Sequence, residues 1–151
     1  MLGHFFGVLV VACLSRVPGA LAAPFADKAA LKAAVINCLT AVPSGENCCS
    51  SGGADCGAAG TDDMPLWDTS KVTGMRYLFE GAAEFNQPIG NWDTSKATDM
   101  GHLFEDAAAF NQPIGDWDTS KVTDTRDMFI GAAEFNQPIG NLESSQANAA
   151  L

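Results

Sequence analysis

Three aspartates recur 25 residues apart, Asp68, Asp93 and Asp118, each followed by Thr-Ser-Lys. Asp99 and Asp124 form a shorter second series. Like charges at one register position repel, so two chemistries compete to account for them. Each carboxylate can close an Asx turn over the Thr and Ser that follow it. Alternatively, the three can offer hard oxygen ligands to a cation such as Ca²⁺ held between copies. The turn reading is favoured, because the Gly-rich motif of calcium-binding repeats is absent. Paired carboxylates also hydrolyse glycosides, but here the repeat itself generates them. His102 is the one histidine left once a leader is removed, and it reads as a solvated surface residue rather than a general base. No Ser-His-Asp set, phosphate-cradling Gly loop or HExxH segment occurs. The expectation is a non-enzyme without a cofactor, Ca²⁺ at the Asp column being the alternative.

Four cysteines, Cys38, Cys48, Cys49 and Cys56, offer redox chemistry. A closely spaced even set in an exported chain implies disulfides. A vicinal Cys48–Cys49 bond is strained, so Cys38 should pair with one of these two and Cys56 with the other. Tetrahedral metal binding is the weaker alternative, because two ligands are adjacent and no CxxC is present. Export itself is read from the first residues. "FFGVLVVACL" (5–14) is too short to span a bilayer, and Ala20-Leu21-Ala22 matches a signal-peptidase site. Residues 1–22 are therefore expected to be a signal peptide and the product secreted. The rival is lipid anchoring at the cell surface through Cys13, preceded by Val10-Val11-Ala12. No second long apolar stretch follows, so no membrane insertion is expected after signal removal. A net charge of −10 disfavours nucleic acid and anionic membranes as partners.

These residues must be positioned by something, and the sequence offers two kinds of element. "DKAALKAAVINCLTAV" predicts a helix capped by Asp27, with Leu31, Val35, Cys38 and Leu39 on one face and Pro43-Ser44-Gly45 ending it. With the cysteines it forms an expected N-terminal cap over 23–66. From Trp67 to Asn141 the chain is three copies of one 25-residue unit, without insertion or deletion. Val72 and Met75 suggest a short extended piece. Met75, Leu78, Phe79 and Ala82 follow the i, i+3, i+4, i+7 spacing of a helical turn. Phe85, Ile89 and the next Trp line a turn-rich return. Burying about seven apolar side chains per unit, at roughly 1.5–3 kcal/mol each, does not offset ordering 25 residues at about 1–2 kcal/mol each. Copies must therefore stack.

The predicted fold is a leucine-rich-repeat-like solenoid with a strand and a helical turn per coil. Equal positions should lie above one another about 4.8 Å apart. Trp67, Trp92 and Trp117 would form one ladder, Phe79, Phe104 and Phe129 another, and Asn86, Asn111 and Asn136 a third. Side-chain amides in the Asn ladder can satisfy backbone groups in adjacent coils. The apolar isoleucines Ile89, Ile114 and Ile139 beside the aromatic columns favour core over a sugar-stacking platform. Residues 142–151 read as a degenerate fourth copy or disordered tail.

"WDTSKVTDTRDMFIGAAEFNQPIGN" (117–141) resembles the repeats of BspA-like leucine-rich-repeat surface proteins, a family first catalogued as mycoplasma lipoproteins of unknown function. The likeness covers 67–141 closely, and "NCLTAVPSGENCC…DCGAAGTDDMPLWDTS" is similar to N-terminal caps of some eukaryotic members. Gly74, Ala97 and Thr125 depart from the unit. The resemblance implies an extracellular scaffold for adhesion or protein binding, with no catalytic residues to carry over. The expected function is thus non-catalytic binding of an extracellular protein or glycan, with end-to-end self-association open. Two alternatives are a fragment of a longer surface protein without independent function and a cation-dependent secreted hydrolase.

Overall fold

The computed structural model describes residues 23–140. The expected signal peptide, its Cys13 alternative and the tail from 142 lie outside them. No helix among the described residues is long and apolar enough to cross a membrane.

Helix α1 spans Lys28–Ala41. Asp27 caps it by accepting the Ala30 N–H at 2.9 Å, which satisfies one of the orphan amides of the first turn. The Val42 N–H bonds back to the Cys38 carbonyl and closes the last turn. Leu31, Ala34, Val35 and Cys38 are buried, while Ile36 is 50% exposed. Two disulfides staple the segment behind the helix, Cys38–Cys48 and Cys49–Cys56. Asp63 secures the same segment by accepting from Cys49 N–H, Ser50 N–H and the Ser50 hydroxyl. Short 3-10 turns follow at Gly57–Ala59 and Met64–Leu66.

The cap rests on the first copy of the repeat. Phe25 packs on Trp67 with ring centroids 5.2 Å apart, and its N–H bonds the Asp68 carbonyl. Gln87 donates to the Ser44 carbonyl. Lys32 Nζ donates to the carbonyls of Tyr77 and Leu78. Met64 also stands in for an isoleucine of the repeat. The Trp92 indole donates to the Met64 carbonyl at 2.8 Å, as the Trp117 indole donates to that of Ile89 at 3.3 Å.

The strand-plus-helical-turn solenoid is not the fold observed. Among the described residues α1 is the one α-helix, no strand forms, and residues 67–140 are turns and loops. Extended pairing is limited to single parallel bridges, Gly74 to Asp99 and Asp99 to Asp124. Hydrogen bonding explains why. The N–H groups of Met75, Tyr77, Phe79 and Gly81 donate to the carbonyls of Asp99, Gly101, Leu103 and Glu105 in the next copy. An α-helix would need those same donors for its own i→i−4 bonds. Other amides close four-residue turns instead, Leu78 to Met75 and Ala82 to Phe79. A strand is prevented too, because Tyr77, His102 and Asp127 have left-handed backbones (φ 59°, 56° and 53°). Each extended piece therefore stops within a few residues of its bridge. The helix-like apolar spacing reflects successive turns that return side chains to one interior.

That interior is aromatic. Phe79, Phe104 and Phe129 stack at 5.6 and 5.7 Å between centroids. Phe85, Phe110 and Phe135 form a parallel column at 5.7 and 5.8 Å. The two columns touch within each copy, at 4.1, 3.9 and 4.1 Å. Trp67 and Trp92 stack at 6.2 Å, whereas Trp117 lies against Phe104. All three indoles are buried. Outside the aromatics, Asn86 Oδ1 accepts from Asn111 N–H and Gln112 Nε2, and Asn111 Oδ1 accepts from Asn136 N–H and Gln137 Nε2. The Asn ladder thus satisfies backbone donors in the neighbouring copy.

Candidate functional site

The Asp68, Asp93 and Asp118 carboxylates are used locally. Each Oδ1 accepts the N–H of the serine two residues on, Ser70, Ser95 or Ser120, at 2.9–3.0 Å. Ser95 adds its hydroxyl to Asp93 at 2.6 Å. The side chains of Ser95 and Ser120 first, and their backbone N–H groups after them, pull the pKa values of Asp93 and Asp118 below the usual carboxylate range, as bonds to the charged form do. The three aspartates are not brought together as a ligand set. Among the described residues, the one group of three potential metal ligands with converging donor atoms is Cys38, Cys48 and Cys49. Their sulfurs are already committed to the two disulfides.

The structure instead assembles a polar and aromatic cluster on the segment 74–77 and its copies, 99–102 and 124–127. Tyr77 and His102, at equal positions in successive copies, stack at 4.6 Å with an interplanar angle of 18°. The Arg76 guanidinium lies 4.9 Å from the Tyr77 centroid, within cation–π range. It then reaches across the second copy to Asp124 in the third, Nη1 to Oδ2 at 2.7 Å. Gly101 makes that crossing possible, because a Cβ there would stand 2.8 Å from Arg76 Nη1. Arg126 grips the same carboxylate through Nε and Nη2 at 3.0 and 2.7 Å. Arg126 foremost, by side chain and then backbone N–H, and Arg76 after it hold the Asp124 carboxyl well below its ordinary pKa, against the opposing effect of burial.

His102 is not the free surface residue expected. Its side chain is 17% exposed, with Nδ1 2.7 Å from Glu105 and Nε2 3.9 Å from Asp127. Carboxylates thus flank both ring nitrogens, and the ring face lies on Tyr77. The left-handed backbone at Tyr77, His102 and Asp127 aims all three side chains the same way. A non-glycine residue there costs about 1–2 kcal/mol, offset here by the inter-copy bonds from Tyr77 N–H and His102 N–H.

Arg76, Tyr77, Arg126 and Asp127 were missed as site residues by a reading built on identical positions, because the copies differ there, while Asp124 was read only as part of a carboxylate series and His102 only as a surface residue. Arg-Gly-Arg occupies one register position and Tyr-His-Asp the next. The available signal was that Tyr77, His102 and Asp127 mark the one register position at which all three copies differ.

Aromatic and Asn columns that link successive copies define a repeat protein of stacked loops under a disulfide-bonded cap. Its family is established by sequence: residues 53–150 match the family described as "Mycoplasma protein of unknown function, DUF285", and the chain belongs to it. The match begins within the cap segment and extends past Asn141. No match to a curated protein or to a solved structure was found.

Proposed function

We propose that the chain is exported and serves as a non-catalytic scaffold that binds an extracellular protein through the Arg76–Tyr77–His102–Asp127 face. One observation carries this reading: Tyr77, His102 and Asp127 occupy the one register position at which all three copies differ, and they lie in a half-buried cluster of charged and aromatic side chains that reaches solvent. Packing alone gives no reason for Tyr, His and Asp to alternate at one position. Arg and Tyr are also residue types that dominate binding energy in interfaces. Two disulfides within 18 residues of chain support an oxidising destination. The resemblance to BspA-like surface proteins supports the same class. His102, held between Glu105 and Asp127, suits a positioned contact residue better than a proton carrier aimed at a substrate.

The test is an array of purified extracellular proteins and glycans probed with the secreted chain, a Tyr77→Ala/His102→Ala double variant and a Lys71→Ala control. Binding to a protein that the double variant loses and the control keeps supports the proposal. Binding indifferent to the double variant, or directed to glycans alone, overturns it.

A further inference from the structure

A second surface lies beside the first copy, where α1 meets the turn Leu78–Glu84. Between later copies, every carbonyl at this register is taken: Gly81 N–H donates to Glu105 at 2.8 Å and Asp106 N–H to Ile130 at 2.7 Å. The same carbonyl in the first copy belongs to Glu80, which has no copy before it. The cap substitutes for the missing copy only in part. Lys32 Nζ takes the Leu78 carbonyl, yet no donor among the described residues reaches that of Glu80. Beside this acceptor runs a trough of mixed polar and apolar lining made of two adjoining cavities of about 250 and 230 Å³, sharing Leu39, Gly81 and Ala82 as walls. Ile36 and Val35 line its upper part, and Ile36 is the one large apolar side chain of α1 that is exposed.

Charge selects the occupant. Glu80 and Glu84 line the trough and are exposed. Lys32 lines the same trough and interacts electrostatically with Glu80, but its hydrogen bonds go to the Tyr77 and Leu78 carbonyls. The whole chain carries −10, so its field also draws cations toward this mouth.

We propose that this trough docks an extended segment of a partner protein in which lysine or arginine alternates with aliphatic residues. One partner N–H bonds the Glu80 carbonyl, continuing the ladder as strand addition does. An aliphatic side chain rests against Ile36, Leu39 and Ala82, and the flanking basic groups face Glu80 and Glu84. Lys32 joins this site to the Tyr77 backbone, but the two surfaces use different side chains, so the Ile36 and Glu80 variants test this one separately.

The probe is an end-capped peptide alternating valine and lysine, titrated into the isotope-labelled secreted chain and followed by amide NMR shifts. Controls are a serine–lysine peptide of equal charge and a valine–glutamate peptide. The expected result is shifts confined to Ile36, Leu39 and 80–84, with Ile36→Glu and Glu80→Lys each weakening binding about tenfold or more. Ile36 is half exposed, so its substitution leaves the fold intact, and Glu80→Gln provides a milder second variant. Equal binding of the serine–lysine peptide would reduce the effect to net-charge attraction and overturn the site. Shifts elsewhere, or no shifts at millimolar peptide, would also overturn it.

Discussion

Replacing Phe104 by alanine tests whether the aromatic columns hold the stack together. Phe104 is fully buried and touches four rings: Phe79 at 5.6 Å, Phe110 at 3.9 Å, Phe129 at 5.7 Å and Trp117 at 6.2 Å. Truncating a buried Phe costs about 3–5 kcal/mol through lost transfer energy and the cavity left behind. Each aromatic pair adds about 0.5–1.5 kcal/mol beyond its area, so Phe104→Ala belongs at the top of the range, about 5 kcal/mol. Phe129 is 7% exposed and touches two rings, Phe104 and Phe135, which places Phe129→Ala near 3 kcal/mol. Phe104→Leu keeps most of the apolar volume and should cost about 1–1.5 kcal/mol. Total stabilities of such domains are about 5–15 kcal/mol, so the first variant approaches unfolding without denaturant. Urea titration of the oxidised chain, read by the fluorescence of the buried Trp67, Trp92 and Trp117, gives all three values. If Phe104→Ala costs no more than Phe129→Ala, the central column is not the main support, and the fold rests on its backbone ladder instead.

The remaining predictions concern the cap, the Asn ladder and acid sensitivity. The disulfides close loops of 10 and 7 residues, so removing either by paired Cys→Ala substitution should cost about 2–3 kcal/mol. Non-reducing peptide mapping should recover Cys38 with Cys48 and Cys49 with Cys56, and a Cys38–Cys49 peptide would contradict the cap. Asn111→Ala strips the acceptor shared by Asn136 N–H and Gln137 Nε2; it should cost about 1–2 kcal/mol and speed hydrogen exchange at the Asn136 amide. Asp124 has a depressed folded-state pKa. Its contribution is therefore complete above the unfolded carboxylate value near 4 and is lost as pH falls below it. Thermal melts between pH 7 and pH 2 should show a steep acid limb that Asp124→Asn flattens.

What could be read from the sequence depended on whether a residue's role was shared by all copies. The Phe and Asn columns were legible because a side chain that must touch its own equivalent cannot change freely. The helix was legible from Asp27, its apolar face and Pro43, all local features. Strand and helical turn were misread for a physical reason. Met75, Leu78, Phe79 and Ala82 sit at helical spacing, but spacing records only which side chains are buried, not where their amides bond. In this chain alternate amides leave for the next copy, and a one-copy pattern contains no sign of that. The Trp ladder was half legible: Trp67 and Trp92 stack, while Trp117 meets Phe104. His102 was misjudged because its partners Tyr77 and Asp127 share its register position yet not its residue type.

That last failure bears on how the outer face is specified. Arg76 passes over Gly101 to reach Asp124, so one ion pair needs a residue from each of three copies. Copies one and three carry Arg at the register position where copy two carries Gly. The copies are therefore not interchangeable at this face. Gly101→Arg, which makes copy two match its neighbours at this position, separates the two layers. Gly101 has no positive φ, so the backbone accepts the substitution. The new Cβ then displaces the Arg76 guanidinium from its 2.8 Å approach. Exchange protection of the Phe104 amide, bonded to the Met128 carbonyl, should remain. The Asp124 carboxyl, keeping Arg126 but losing Arg76, should titrate at higher pH in carboxylate NMR, and partner binding at the Tyr77–His102 face should weaken. If Phe104 loses protection instead, face and core are one cooperative layer, and the division of labour between identical and divergent positions is wrong.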